Sequence, residues 1–293
     1  MISNSLRQHI IELLKNETGT ATSSVKLQPV GGGSINDTYK IETDNGHLFF
    51  CKINSAVQFP GLFEAERQGL ELLKRQQVIR IPSVIACTVT DDTQILVLEW
   101  IEQGSRTSSF WQLFGEQLAQ LHDVKEKTFG LDADNYMGAL VQTNTRAESW
   151  TEFFIHQRLE PQIRMALDAG LLKPKEAAVF ERLYPRLHDI FPLTEPSLLH
   201  GDLWSGNYLC DRRGRPVLID PAVYFGHPAI DLGMTTLFGG FDPLFYESYK
   251  ACRPFPPNYH EQWEVCNLYP LLIHLNLFGE SYKSSILRTI QRY

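Results

Sequence analysis

No stretch of the 293 residues approaches the ~20 continuous apolar residues that cross a bilayer, and residues 1–19 carry charges throughout where a secretory leader would be apolar. A cytoplasmic protein that spans no membrane is expected. Cysteine is sparse: Cys51, Cys87, Cys210, Cys252 and Cys266 stand apart without a C-x-x-C pair, which argues against a disulfide framework or thiolate metal centre and for reduced, packed thiols. Positive charge is in deficit, 27 Lys and Arg against 34 Asp and Glu, and the net −7 repels phosphate backbones and anionic lipid. Neither nucleic acid nor a membrane is an expected partner. There is no repeat of fixed period and no low-complexity linker, and 43% hydrophobic with 21% charged residues is globular usage that excludes a disordered, collagen-like or coiled-coil chain.

At ~150 residues per domain the length suits two domains or two lobes of one enzyme. Three β-rich runs, 25–30, 38–43 and 47–53, come first, the last two joined by Asp44, Asn45 and Gly46, a hairpin turn signal. The segment 62–76 reads as a helix, and two further strands follow at 83–90 and 94–100. Beyond Gly104 the pattern turns helical, at 110–122, 150–169, 175–190, 258–278 and 281–291, with one short strand at 216–219 between an Arg213-Gly214 turn and Asp220-Pro221. The implied division is an N-terminal lobe over 1–100 and a C-terminal lobe over 101–293, meeting at a hinge near 99–104.

Between the first two strands lies a run of three glycines and a serine, Gly31, Gly32, Gly33 and Ser34, where backbone amides can approach an anion without a clashing side chain. On the glycines alone, a plain hairpin turn explains the run equally well. Lys52 ends the third strand and Glu66 follows on the helix, the arrangement of a phosphate-contacting lysine held by a helix carboxylate, although either residue alone suits a solvated surface. The most specific signal is HGDLWSGN from His200, followed by Asp220 at the end of a short strand. An aspartate, an asparagine five residues on and a second aspartate after a strand is the kinase spacing: Asp202 as the base that deprotonates an acceptor hydroxyl, Asn207 and Asp220 as oxygen ligands for Mg²⁺ across the phosphates of ATP. His200 reads as structural, since a proton acceptor is already present in Asp202.

This motif set resembles the fructosamine kinase (ketosamine-3-kinase) family, a branch of the protein-kinase-like fold related to aminoglycoside phosphotransferases. The resemblance runs over nearly the whole chain: Phe63 to Glu66, Leu96 to Glu99, Leu118 to His122, Arg158 to Gln162, HGDLWSGN, Asp220-Pro221-Ala222, and Phe238-Gly239-Gly240-Phe241. It implies an α+β, bilobal fold with a small antiparallel N-terminal sheet lobe, one key helix and a larger, mainly helical C-terminal lobe. It also implies an ATP- and Mg²⁺-dependent kinase acting on the O3 hydroxyl of a ketoamine, on a protein or a small molecule, and so repair of glycated amines. Adenine is expected at Glu99 to Ile101 through backbone groups. Trp204, two residues after Asp202, resembles a feature of the ketosamine branch and is expected either as a wall against the sugar or as loop packing. Asp231 resembles a carboxylate that braces the catalytic loop. Some relatives carry a cysteine in the glycine-rich loop that can join two subunits; Ser34 takes that place here. No Asp-Phe-Gly follows the strand and no Ala-Pro-Glu is present, which disfavours a protein kinase. The alternatives are an aminoglycoside- or amino-alcohol-type phosphotransferase and a pseudokinase; the latter would lack one of Lys52, Asp202, Asn207 or Asp220, and all four are present. Trp150, Trp263 and Tyr269 are expected in the helical core.

Overall fold

Alternation along two strands decides what each face of the N-terminal sheet does. In the computed structural model, which describes residues 2–31 and 35–293, the strands β1 (Val25–Pro29), β2 (Asp37–Thr43), β3 (Leu48–Ser55), β4 (Val84–Thr90) and β5 (Thr93–Glu99) form one antiparallel sheet in the order β1-β2-β3-β5-β4. Successive side chains in a strand point to opposite faces. Cys51 and Ile53 of β3 therefore join Ile95 and Val97 of β5 on one face, under Ile10, Ile11 and Leu14 of helix α1 (Asn4–Thr18). Lys52, Leu96 and Leu98 face the other way, toward helix α2 (Leu62–Arg75) and the rest of the chain. α1 starts where the Ser3 hydroxyl accepts the Leu6 N–H and ends at Gly19, whose φ of 65° is left-handed. Gly31 follows β1, and Gly32, Gly33 and Ser34, expected with it as a phosphate-covering loop, lie outside the described residues.

The rest of the chain is mainly helical around a second core. It departs from the sequence expectation in detail. Helix α3 (Ser108–His122), capped by Thr107, packs against the helix Pro243–Cys252, which the sequence reading missed, so closely that a Cβ on Gly115 would meet the Phe245 carbonyl at 2.2 Å. The helix expected over 150–169 is continuous but opens into a π-helical turn at Phe154–Leu159. The single helix expected over 175–190 is instead a chain of short pieces with a 3₁₀ turn at Tyr184–Arg186, because Pro185 has no N–H to give an α-helical ladder. The expected 258–278 helix divides at Asn267.

The expectation of one short strand in this half is corrected to several: β6 (Asn135–Met137), β7 (Leu140–Gln142), β8 (Ser197–Leu199), β9 (Tyr208–Cys210), β10 (Pro216–Leu218) and β11 (Tyr224–Gly226). Each spans three residues, too short for a period of two to show in a sequence. They pair as ribbons β6/β7, β9/β10 and β8/β11, and the last two flank the HGDLWSGN loop. Among the described residues no helix is long and apolar enough to cross a membrane.

Candidate active site

The ribbons bring the HGDLWSGN loop and Asp220 together. Tyr208 of β9 pairs with Leu218 of β10, and beyond this pair the Ile219 N–H donates to the Asn207 carbonyl at 3.1 Å. Leu199 of β8 pairs with Tyr224 of β11, and beyond it the Ala222 N–H donates to the His200 carbonyl at 2.9 Å. The loop is thereby tied at both ends to the segment carrying Asp220. Gly201 sits where that segment presses closest: its φ is 84°, and a Cβ would meet the Ala222 carbonyl oxygen at 2.0 Å. Asp220 itself has a φ of 54°, a left-handed conformation that costs an L-residue about 1–3 kcal/mol and persists only where surroundings over-determine it.

Lys52 reaches this segment across the cleft. Its Nζ donates to Glu66 Oε1 at 2.7 Å and to Asp220 Oδ1 at 2.6 Å, with its side chain 2% exposed. Burial alone would lower the lysine pKa, but the Asp220 and Glu66 carboxylates outweigh it and hold the ammonium charged. For Glu66 burial prevails over Lys52, so its carboxyl is pushed up from the ordinary range. Asp202 is raised to about 7, by burial first and then by the Asp220 charge, against the Asn207 amide that donates to its Oδ2 at 2.9 Å.

Asp231 lies beneath. Its buried carboxylate accepts the His200 and Gly201 N–H groups, each at 2.8 Å, and the Nε2–H of His122 at 3.2 Å. His200 is fully buried, donates Nε2–H to the Ile219 carbonyl at 2.9 Å and accepts the Asp202 N–H on Nδ1, and burial lowers its pKa, so it stands as a neutral strut.

A cavity of about 600 Å³ opens over Lys52, Glu66, Asp202, Trp204, Asn207 and Asp220. Glu99 and Ile101 do not line it. The Glu99 carboxylate instead accepts from Arg80 and the Ser83 N–H, and Arg80 also binds Asp211, which joins the sheet to the helical part. Trp150, Trp263 and Tyr269 are buried in the second core. Sequence reasoning missed His274, Phe278 and Tyr282 on the far wall of the cavity, as well as Asn36, Asn135 and Tyr136. His274 and Phe278, at i and i+4, share one face of the helix Leu268–Phe278, and Tyr282 follows on a 3₁₀ turn beyond Gly279; the i, i+4 pair is the signal that could have found the first two.

The donor set suits a hard divalent cation. Asp220 gives only Oδ1 to Lys52, and Asn207 spends its amide nitrogen on Asp202, which leaves a carboxylate and an amide oxygen at one cavity.

An antiparallel sheet with one key helix, set on a helical lobe with these groups at the junction, defines the class of protein-kinase-like phosphotransferases. Within that class the chain belongs to the fructosamine kinase family, whose model matches residues 6–293. It is 38% identical over 280 residues to a chain of Enterococcus faecium named as a ketoamine kinase, covering 94% of this chain and 99% of that one. It is 35% identical to the chloroplastic protein-ribulosamine 3-kinase of Arabidopsis thaliana, covering 94% and 84%. A solved structure from Thermobifida fusca, named for fructosamine-3-kinase, superposes with a TM-score of 0.86 at 31% identity, covering 96% and 97%. An aminoglycoside 3'-phosphotransferase of type VIII shares the fold alone, with a TM-score of 0.52 and 17% identity.

Proposed function

We propose that the chain transfers the γ-phosphoryl group of ATP to the O3 hydroxyl of a ketoamine, the adduct of a sugar with an amine. The observation that carries this reading is the meeting of Lys52, Asp202, Asn207 and Asp220 at one cavity in a chain whose relatives are named ketoamine kinase and ribulosamine 3-kinase. An aminoglycoside acceptor has only the remote fold likeness behind it, and a pseudokinase would not need all four groups.

ATP supplies the phosphoryl group, and Mg²⁺ held through Asp220 and Asn207 would neutralise charge on its phosphates. Lys52, steadied by Glu66, is proposed to contact phosphate oxygens; Gly31, Gly32, Gly33 and Ser34 to cover them; and the backbone from Glu99 to Ile101 to hold adenine. Asp202 orients the acceptor hydroxyl and takes its proton, a role suited to a carboxyl raised toward neutral pH. Trp204, half-buried on the cavity, forms a wall against the sugar. The product carries a phosphate, a better leaving group than hydroxide, beside an enolisable carbon, so it can decompose and free the amine. Deglycation of amines is the proposed outcome, in a cytoplasmic setting that five unpaired thiols favour. The N-terminal lobe is proposed to end at residue 100 and the C-terminal lobe to begin at 101.

The roles are tested by pairing turnover with nucleotide titration. Asp202→Asn should abolish most turnover and leave Mg-ATP affinity within about threefold. Asp220→Ala should weaken Mg-dependent nucleotide binding by tenfold or more, with Asn207→Ala milder. The opposite pattern would exchange the two aspartates.

A further inference from the structure

The cavity has a charged end and an aromatic end. At the first, the carboxylates Glu66, Asp202 and Asp220 outnumber one cation, Lys52, which is already bonded to two of them. Among the described residues that line the cavity, no other fully charged cation is present, because His274 donates Nδ1–H to the Pro270 carbonyl at 2.7 Å and burial lowers its pKa, leaving a neutral ring. The other end is a row of rings. Trp204 meets Phe238 edge-on at 5.8 Å between centroids, Phe238 meets His274 at 5.0 Å, and His274 meets Phe278 at 5.5 Å and Tyr282 at 5.0 Å. The row starts beside Asp202 and ends at solvent, where Phe238 is 39% and Phe278 51% exposed.

A ketoamine held with its O3 hydroxyl at Asp202 has its nitrogen only three bonds from C3, so whatever the nitrogen carries must leave along the wall of the same cavity. The aromatic row is the apolar part of that wall. An alkyl stem on the nitrogen would cover exposed ring surface, and an ammonium would meet ring faces and surplus carboxylate. A carboxylate beside the nitrogen would meet surplus negative charge and no free cation.

We propose that Phe238 and Phe278 form a subsite for the amine-bearing half of the substrate, one that takes an uncharged alkyl stem and disfavours a carboxylate next to the nitrogen. The preferred class is thus ketoamines of alkylamines, side-chain amines included, over adducts at the α-amine of free amino acids. This rests on the ketoamine reading above.

The test measures kcat/KM with ATP for ribulose adducts of methylamine, n-pentylamine and norleucine, the last being the pentylamine stem with a carboxylate next to nitrogen. In the wild type the pentyl adduct should exceed the methyl adduct by about tenfold or more, since a fully buried methylene is worth roughly fourfold, and should exceed the norleucine adduct by about tenfold. Phe278→Ala should shrink the pentyl-to-methyl ratio to about threefold or less, and Phe278→Leu should restore most of it. A wild-type ratio near one, a ratio unchanged by Phe278→Ala, or a norleucine adduct as good as the pentyl adduct would overturn the subsite while leaving the ketoamine reading intact. Absence of turnover on every adduct would overturn both.

Discussion

Lys52 is an ammonium enclosed by carboxylates, and its cost of burial is met only because two of them bond to it. If it faces the phosphates as proposed, Lys52→Ala should lower kcat/KM by orders of magnitude with far-ultraviolet circular dichroism unchanged; normal turnover in that variant would remove the lysine from the site. Asp202 carries the opposite problem, a carboxylate beside another carboxylate. Its folded pKa of about 7 lies above the ordinary 3.8, so the folded protein keeps a proton that the unfolded chain gives up. The stability this proton confers is complete below about pH 4 and lost as pH rises through 7. With chelator present, Asp202→Asn should therefore melt close to the wild type at pH 4 and several degrees above it at pH 8. A difference that is greatest at pH 4 would contradict the assigned shift.

At the scale of elements, the loop and its neighbours are held by one buried group. Asp231, the third residue of the helix Ala229–Met234, accepts from two loop N–H groups and from His122. Asp231→Ala would leave three buried donors without an acceptor, and by analogy with broken buried ion pairs the cost is about 3–5 kcal/mol. Chemical denaturation should show that loss, and a variant within 1 kcal/mol of the wild type would mean the brace is not needed. The spacing within HGDLWSGN and the Asp220 that follows could be read from the sequence because one short loop and one short strand carry them. The Lys52–Glu66 pairing was legible because strand and helix are adjacent in the chain. What could not be read was the far wall: His274, Phe278 and Tyr282 come more than 70 residues after Asp202, the helix Leu268–Phe278 that carries the first two is so apolar that they are hidden among core residues, and Tyr282 follows on a separate 3₁₀ turn. The three-residue strands were equally invisible, although their register is what aligns Asn207 with Asp220.

For the whole molecule, the order of three strands, helix and two strands was legible because β3 and β5 alternate cleanly between two faces, one claimed by α1 and the other by α2 and the cleft. The helical part was legible as helical but not in its breaks, at Pro185 and Asn267, nor in the π-turn within the continuous helix that starts at Trp150. The two parts are tied by Arg80, which binds Glu99 at the end of the sheet and Asp211 beyond it. That tie predicts a coupling between the parts: Arg80→Ala should raise KM for ATP several-fold more than KM for the ketoamine, since Glu99 borders the proposed adenine site, and equal changes in both would argue against it. Phosphoryl transfer to a ketoamine is the activity from which every role proposed for these residues follows. Incubating the protein with ATP, Mg²⁺ and a ribulosamine or fructosamine, and locating the phosphate by phosphorus–proton correlation NMR, tests it most directly. The prediction is a phosphate on O3 of the ketoamine followed by release of the free amine, and phosphorylation of an aminoglycoside with no phosphate on any ketoamine would contradict it.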